Sequence, residues 1–190
     1  MANAVNRQIT LAARPANYPK ESDFALIESP IPQPGEGQVL IQVLWLSLDP
    51  YMRGRMRANH PYAAPMDLGQ VVVGGVVGKI IESRTPAFTV GEIVDGSLGW
   101  QEYAVSDGSN LRRVDKDLGP LSTALGILGM PGMTAYFGFL EVGQPRPGET
   151  VVVSAASGAV GQVVGQISKI MGCRTVGIAG TAEKIEYIKN

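Results

Sequence analysis

The segment TVVVSAASGAVG, Thr150 to Gly161, joins a short apolar strand to a turn of small residues, and a helix-period pattern starts where the turn stops. Val160, Val163, Val164, Ile167, Ile170 and Met171 fall at i, i+3, i+4, i+7, i+10 and i+11, which places them on one apolar face. Gly172 stands where a left-handed C-terminal cap is needed. A second strand follows over Arg174 to Ala179, and Thr181 can cap another helix containing Glu183 to Lys189. Strand, turn, helix and strand in this order open a parallel α/β sheet.

The turn itself, Ala156-Ser-Gly158-Ala-Val-Gly161, is a variant of the dinucleotide fingerprint with Ala in the first glycine position. Gly158 would let main chain approach a pyrophosphate where a Cβ would intrude, and Gly161 would let the helix pack closely on the strand. The N–H groups of Ala159, Val160 and Gly161, at the start of the helix, would receive the phosphate charge. A bare G-x-x-G is weak evidence, but the preceding strand, the amphipathic helix and the second strand supply the context the motif requires. A plain βαβ turn with packing glycines is the alternative. The end of the second strand separates the two nicotinamide dinucleotides. An NAD site places Asp or Glu roughly 20 residues past the glycine turn, and here the count lands on Ala179-Gly180-Thr181. A 2′-phosphate would be repelled by a carboxylate and attracted by an ammonium. Gly180 with Lys184 therefore favours NADP(H), while Glu183 is the counter-argument and a solvated helix face is the plain reading of Lys184.

Upstream, the first hundred-odd residues read as short strands broken by Gly and Pro. Arg14 to Pro19 and Ser29 to Gly37 are turn-rich breakers. Gln38 to Ser47 has apolar residues on both faces and predicts a strand buried on both sides. Gln70 to Ile81 carries Gly74, Gly75 and Gly78 inside a β-branched run, which marks a bulge, a barrel corner or a close approach. Glu92 to Asp95 and Trp100 to Val105 add short strands, and the spacing predicts a partly open β-barrel over residues 1–120. From 121 onward, Leu121 to Met130 predicts a short helix ended by Pro131-Gly132, and Thr134 to Leu140 a second one. Residues 121–190 then read as linker helices and the start of a nucleotide-binding sheet. Two strands and one crossover cannot cover both faces of a parallel sheet, so the sequence reads as the front portion of a longer protein that alone would bind cofactor weakly.

Composition narrows the function classes. The 190 residues are 45% hydrophobic and 17% charged with a net charge of −1, so disorder and a nucleic-acid partner are both disfavoured. One Cys (Cys173) and one His (His60) exclude a disulfide framework and a Cys/His metal site. Cys173 reads as a small buried hydrophobe. No run reaches the roughly 18 apolar residues of a membrane helix, and no signal peptide opens the chain, so a cytoplasmic location is expected.

Gly129-Met-Pro-Gly-Met-Thr-Ala-Tyr136, the turn at 155–161 and Ala179-Gly-Thr-Ala-Glu-Lys184 resemble the medium-chain dehydrogenase/reductase superfamily. Ser47-Leu-Asp-Pro-Tyr-Met-Arg-Gly-Arg-Met56 narrows the resemblance to the zinc-independent branch of prostaglandin reductases and alkenal double-bond reductases. With Val73-Gly-Gly75 and Gly99-Trp-Gln-Glu-Tyr103, the chain is most similar to its bacterial curcumin reductase group. The resemblance implies a GroES-like barrel followed by the first part of a Rossmann sheet, without metal, and with a homodimer as the family expectation. It also implies NADPH-dependent reduction of the carbon–carbon double bond of α,β-unsaturated ketones or aldehydes. Tyr62 is the best match for the family's substrate-side tyrosine, Tyr51 would line the same substrate site, and Thr134 matches a residue near the nicotinamide. For Thr134 a helix N-cap is the plainer alternative. Arg53, Arg55 and Arg57 read as a solvated loop rim that could also attract an anionic substrate. A quinone reductase of the same superfamily and a non-catalytic barrel with a vestigial nucleotide turn are the competing functions.

Overall fold

β-branched side chains fit a pleated surface and glycine and proline reverse the chain between them, and the first half of this sequence alternates the two. The computed structural model describes residues 5–59 and 64–189, and the chain divides into two compact units between Ser122 and Thr123. In the first unit β1 (Val5–Leu11) pairs antiparallel with β2 (Phe24–Pro30). Five more strands follow: β3 (Val39–Leu46), β4 (Gly75–Ser83), β5 (Ile93–Ser97), β6 (Tyr103–Ser106) and β7 (Arg112–Arg113). They form an antiparallel sheet in the order β6-β3-β4-β5-β7. Single bridges from Gln8 to Gln101 and from Thr10 to Val71 tie the β1–β2 pair to this sheet. The result is the partly open GroES-like barrel.

Two apolar clusters fill the barrel, one of Leu11, Met52, Met56, Met66 and Val72 and one of Val39, Ile41, Ile80, Phe88 and Val94. Gly78 marks a close approach: a Cβ there would lie 2.4 Å from Ile41 Cγ2 and 2.7 Å from the Gln42 carbonyl. The expectation for β3 needs correction. Val39, Leu40 and Ile41 are buried, but Leu44, Trp45 and Leu46 are exposed. β6 pairs with β3 only from Val39 to Gln42, and a register shift interrupts the β3–β4 ladder between Val43 and Trp45. The second half of the strand therefore leaves the core. The short helix α1 (Pro50–Arg55) follows, with proline in its first turn.

In the second unit, β8 (Thr150–Val153) and β9 (Arg174–Gly177) pair in parallel, in register from Thr150 opposite Arg174 to Val153 opposite Gly177. This βαβ start is the first part of a Rossmann sheet. The crossover helix, Gly161–Ile170, packs on both strands. Ahead of β8 the structure departs from expectation. Leu121–Leu125 is only a 3-10 turn, and Pro131-Gly132 opens a helix instead of ending one: α2 (Met130–Tyr136) has Gly129 at its N-cap and continues as π-helical turns over Phe137–Gly143. Proline has no N–H to lose in a first turn, and its fixed φ suits the helix start. Thr134 is accordingly not an N-cap; it lies inside α2, where its hydroxyl donates to the Met130 carbonyl at 2.7 Å.

We number the crossover helix α3 and the last helix, Ala182–Lys189, α4. The expected apolar face of α3 is trimmed at its end, because Ile170 is exposed while Ser168 is fully buried and hydrogen-bonded to Thr175 at 2.7 Å. Cys173 is half-buried, its thiol 3.4 Å from the Arg146 carbonyl, and not the buried hydrophobe expected. The C-terminus of α3 agrees with the sequence. Gly172 has φ +75°, its N–H bonds the Lys169 carbonyl, and the Cys173 N–H bonds the Ser168 carbonyl, both at 3.0 Å. This is a Schellman cap. Replacing Gly172 with alanine is expected to cost about 1–2 kcal/mol, the penalty of placing a Cβ in left-handed backbone, read as a lower denaturant midpoint with an unchanged slope.

Candidate functional site

The turn between β8 and α3 is shaped by one contact at each end. The parallel ladder runs past the strands: the Ile178 N–H bonds the Val153 carbonyl at 2.9 Å, and the Ala156 N–H bonds the Ile178 carbonyl at 3.0 Å. Ala155 takes left-handed backbone (φ +47°), a strain of about 1–2 kcal/mol for a residue with a Cβ. The Gly158 N–H then closes the turn on the Ala155 carbonyl at 2.8 Å. Gly161 sits directly beneath: a Cβ there would be 2.4 Å from the Ala155 oxygen and 2.9 Å from Ala156 Cα. A Cβ on Gly158 would meet the Ala155 oxygen alone, a tight main-chain contact at 3.1 Å.

This geometry leaves the N–H groups of Ala159, Val160 and Gly161 with no acceptor among the described residues. Three consecutive donors at the positive end of a ten-residue helix, on an exposed turn without side-chain bulk, make an anion cradle. The first fingerprint position also becomes intelligible. Ala156 is buried, and a Cβ on Gly177, across the ladder, would come within 3.0 Å of the Ala156 Cβ and 2.8 Å of Ile188. Alanine is accommodated there because glycine stands opposite, a pairing that the sequence alone did not single out.

β9 delivers the chain to the same end of the ladder. Beyond it Gly180 has open space around its Cβ position, and Thr181 caps α4, its Oγ1 accepting the Lys184 N–H at 3.2 Å. Lys184 and Glu183 are both exposed in the first turn of α4. α4 is tied back to α3 by the Tyr187 hydroxyl, which donates to Gln162 Oε1 at 2.8 Å. Thr134 lies on α2, which packs against α3. Its proton is committed to Met130, so its free lone pairs make it an acceptor toward any ligand.

The remaining candidates lie in the first unit. Tyr51 is the second residue of α1 and 40% exposed. Partial burial and then the Asp49 carboxylate push its hydroxyl above the usual tyrosine value, with Arg55 opposing them. The phenol therefore stays a neutral donor through ordinary pH. Tyr62 and His60 fall outside the described residues. The three arginines separate: Arg57 is exposed, whereas Arg53 and Arg55 are half-buried. Arg53 is not a solvated rim, because it donates to the carbonyls of Pro15 and Asn17. A separate groove of 350 Å³, lined by Ile9, Leu26, Trp45 and Trp100 and edged by the Arg7–Glu102 ion pair, contains none of the expected site residues.

Comparison with known proteins adds independent findings. The family model described as the N-terminal domain of oxidoreductase matches residues 7–114. The NADPH-dependent curcumin reductase of Escherichia coli (strain K12) is 50% identical over 182 residues, 96% of this chain and 53% of that protein. The NADP(+)-dependent 2-alkenal reductase of Nicotiana tabacum is 47% identical over 192 residues, 97% of this chain and 55% of that protein. Among solved structures, CurA from Vibrio vulnificus in complex with NADPH superposes with a TM-score of 0.92 at 50% identity, covering 97% of this chain and 55% of that one. The chain thus spans about half the length of the curated relatives it matches.

Proposed function

The chain belongs to the zinc-independent branch of the medium-chain dehydrogenase/reductases, and on that premise we propose that it serves the NADPH-dependent reduction of the carbon–carbon double bond of α,β-unsaturated ketones and aldehydes. The observation that carries this reading is the turn at 155–161, where three adjacent main-chain donors have no acceptor among the described residues and the last of them, Gly161, has no room for a Cβ against the main chain. NADPH bound there would supply a hydride to the β-carbon of the enone.

Each residue then has a defined task. The N–H groups of Ala159, Val160 and Gly161 would hold the pyrophosphate, and Gly158 would let it approach the main chain. Gly180 would leave room beside the adenosine ribose, and the Lys184 ammonium would pair with the 2′-phosphate. Thr134, whose proton is committed to the Met130 carbonyl, would stand near the nicotinamide as an acceptor, a place the resemblance gives it. As the β-carbon gains hydrogen, the π electrons move onto the carbonyl oxygen. The Tyr51 hydroxyl would donate to that oxygen and stabilise the enolate as its charge builds, a role the resemblance gives first to Tyr62. The α-carbon then takes a proton from solvent, which completes the saturated ketone. Tyr62 is assigned to the same substrate side on the resemblance alone.

The test is the product. The full-length protein, given NADPH and the aryl enone 4-phenylbut-3-en-2-one, is expected to yield the saturated ketone with one NADPH consumed per molecule formed. An allylic alcohol as product, or faster NADPH consumption with a benzoquinone than with the enone, would overturn the proposal.

A further inference from the structure

The proposed reduction needs the Tyr51 hydroxyl at a fixed place, yet α1 has few means of fixing itself. Six residues do not make a stable helix alone. Met52, Met56 and Met66 anchor the region in the core beside Leu11 and Val72. Methionine is unbranched with three rotatable bonds, so it fills space without dictating orientation.

Two guanidinium groups supply the orientation. Arg14, in the turn after β1, donates from Nη1 to the Met56 carbonyl at 3.0 Å and from Nη2 to the Met66 carbonyl at 2.8 Å. Met56 is the C-cap of α1, so this bond satisfies a carbonyl at the negative end of the helix with a positive donor. Arg53 reaches the opposite way, from α1 into the turn that carries Arg14. Its Nη2 donates to the Pro15 carbonyl at 2.8 Å and its Nε to the Asn17 carbonyl at 3.1 Å. Each segment thus grips main-chain oxygens of the other through a rigid fork. The Met66 N–H adds a bond to the Arg55 carbonyl at 2.8 Å.

We propose that Arg14 is a positioning residue of the enone site: its bridge across the Met56 and Met66 carbonyls, matched by that of Arg53 to Pro15 and Asn17, sets α1 and with it the Tyr51 hydroxyl. The inference rests on the enone-reductase reading for what Tyr51 does. Lysine is a poor substitute, because a compact ammonium lacks the planar fork that spans two carbonyls.

The experiment is a double-mutant cycle on the full-length protein with NADPH and the same aryl enone. Arg14→Ala is expected to lower kcat/KM for the enone about tenfold with KM for NADPH unchanged, and in a Tyr51→Phe background to cost less than about twofold. Arg14→Lys recovers part of the loss. An equal loss in both backgrounds means a general structural role and overturns the proposal. If the wild-type protein does not reduce the enone, the functional reading fails by itself, and the positioning claim is then decided by ultraviolet difference titration of Tyr51 against Tyr51→Phe. There Arg14→Ala is expected to bring the midpoint down toward the ordinary value of about 10 as the ring becomes hydrated, with Asp49 and Arg55 still the charges that act on it. An unmoved midpoint overturns the proposal. Should Arg14→Ala fail to fold, Arg14→Lys serves both measurements.

Discussion

Replacing Gly161 by alanine is expected to weaken NADPH binding by about a hundredfold or more, since a charge-assisted hydrogen bond contributes roughly 1.5–3 kcal/mol and more than one is lost. The added Cβ would lie 2.4 Å from the Ala155 oxygen and 2.9 Å from Ala156 Cα. Both are main-chain atoms, so no side-chain rotation relieves the clash. The turn must open or the helix must withdraw, at a cost typical of overpacking, about 1–3 kcal/mol. Either movement would swing the Ala159, Val160 and Gly161 donors away from a pyrophosphate bound at the turn. Gly165, one turn further along α3, is the control, because nothing stands within 4 Å of its Cβ position. Gly165→Ala should keep wild-type affinity and stabilise the helix by up to about 1 kcal/mol. Calorimetric titration of NADPH into the three full-length proteins separates the cases. Wild-type affinity in Gly161→Ala would remove the turn from the cofactor site.

What the sequence discloses and what it hides divide along the range of the interactions. The Gly172 cap, the Thr181 cap and the pairing of Gly158 with Gly161 are set within a few residues, and each is where the local pattern places it. Pro131 misleads a local reading, which ends a helix there: proline both stops a helix and begins one, and only the N-cap conformation of Gly129 shows that it begins one here. The exposure of Leu44 to Leu46 depends on where β6 stops pairing, a fact written some sixty residues downstream. Likewise the tolerance for Ala156 comes from Gly177 across the ladder, and the role of Arg53 comes from carbonyls of Pro15 and Asn17. An arginine in a short motif advertises its charge. Its partners, when they are main-chain oxygens, leave no trace in composition or spacing.

Lys184→Ala is expected to raise KM for NADPH by about 10- to 100-fold and to leave KM for NADH within about twofold, the range of one charge-assisted hydrogen bond. The two coenzymes differ only at the adenosine 2′ position, so a selective effect reports a contact made there and nowhere else. The surroundings favour the phosphate. Gly180 offers space, the Thr181 hydroxyl accepts the Lys184 N–H and still has its own proton to donate, and the positive end of α4 points to the same place. Glu183 is the opposing charge. If it instead bound a ribose hydroxyl, Glu183→Gln would weaken NADH selectively, whereas beside a phosphate its removal should tighten NADPH. Because Lys184 is exposed, its contribution should also shrink as ionic strength rises and screening sets in. Selectivity for NADPH over NADH must therefore fall with added salt in the wild-type protein and stay flat in Lys184→Ala. Equal weakening of both coenzymes by that substitution would mean that Lys184 supports the helix or the shared part of the dinucleotide, and the assignment to the 2′-phosphate would fail.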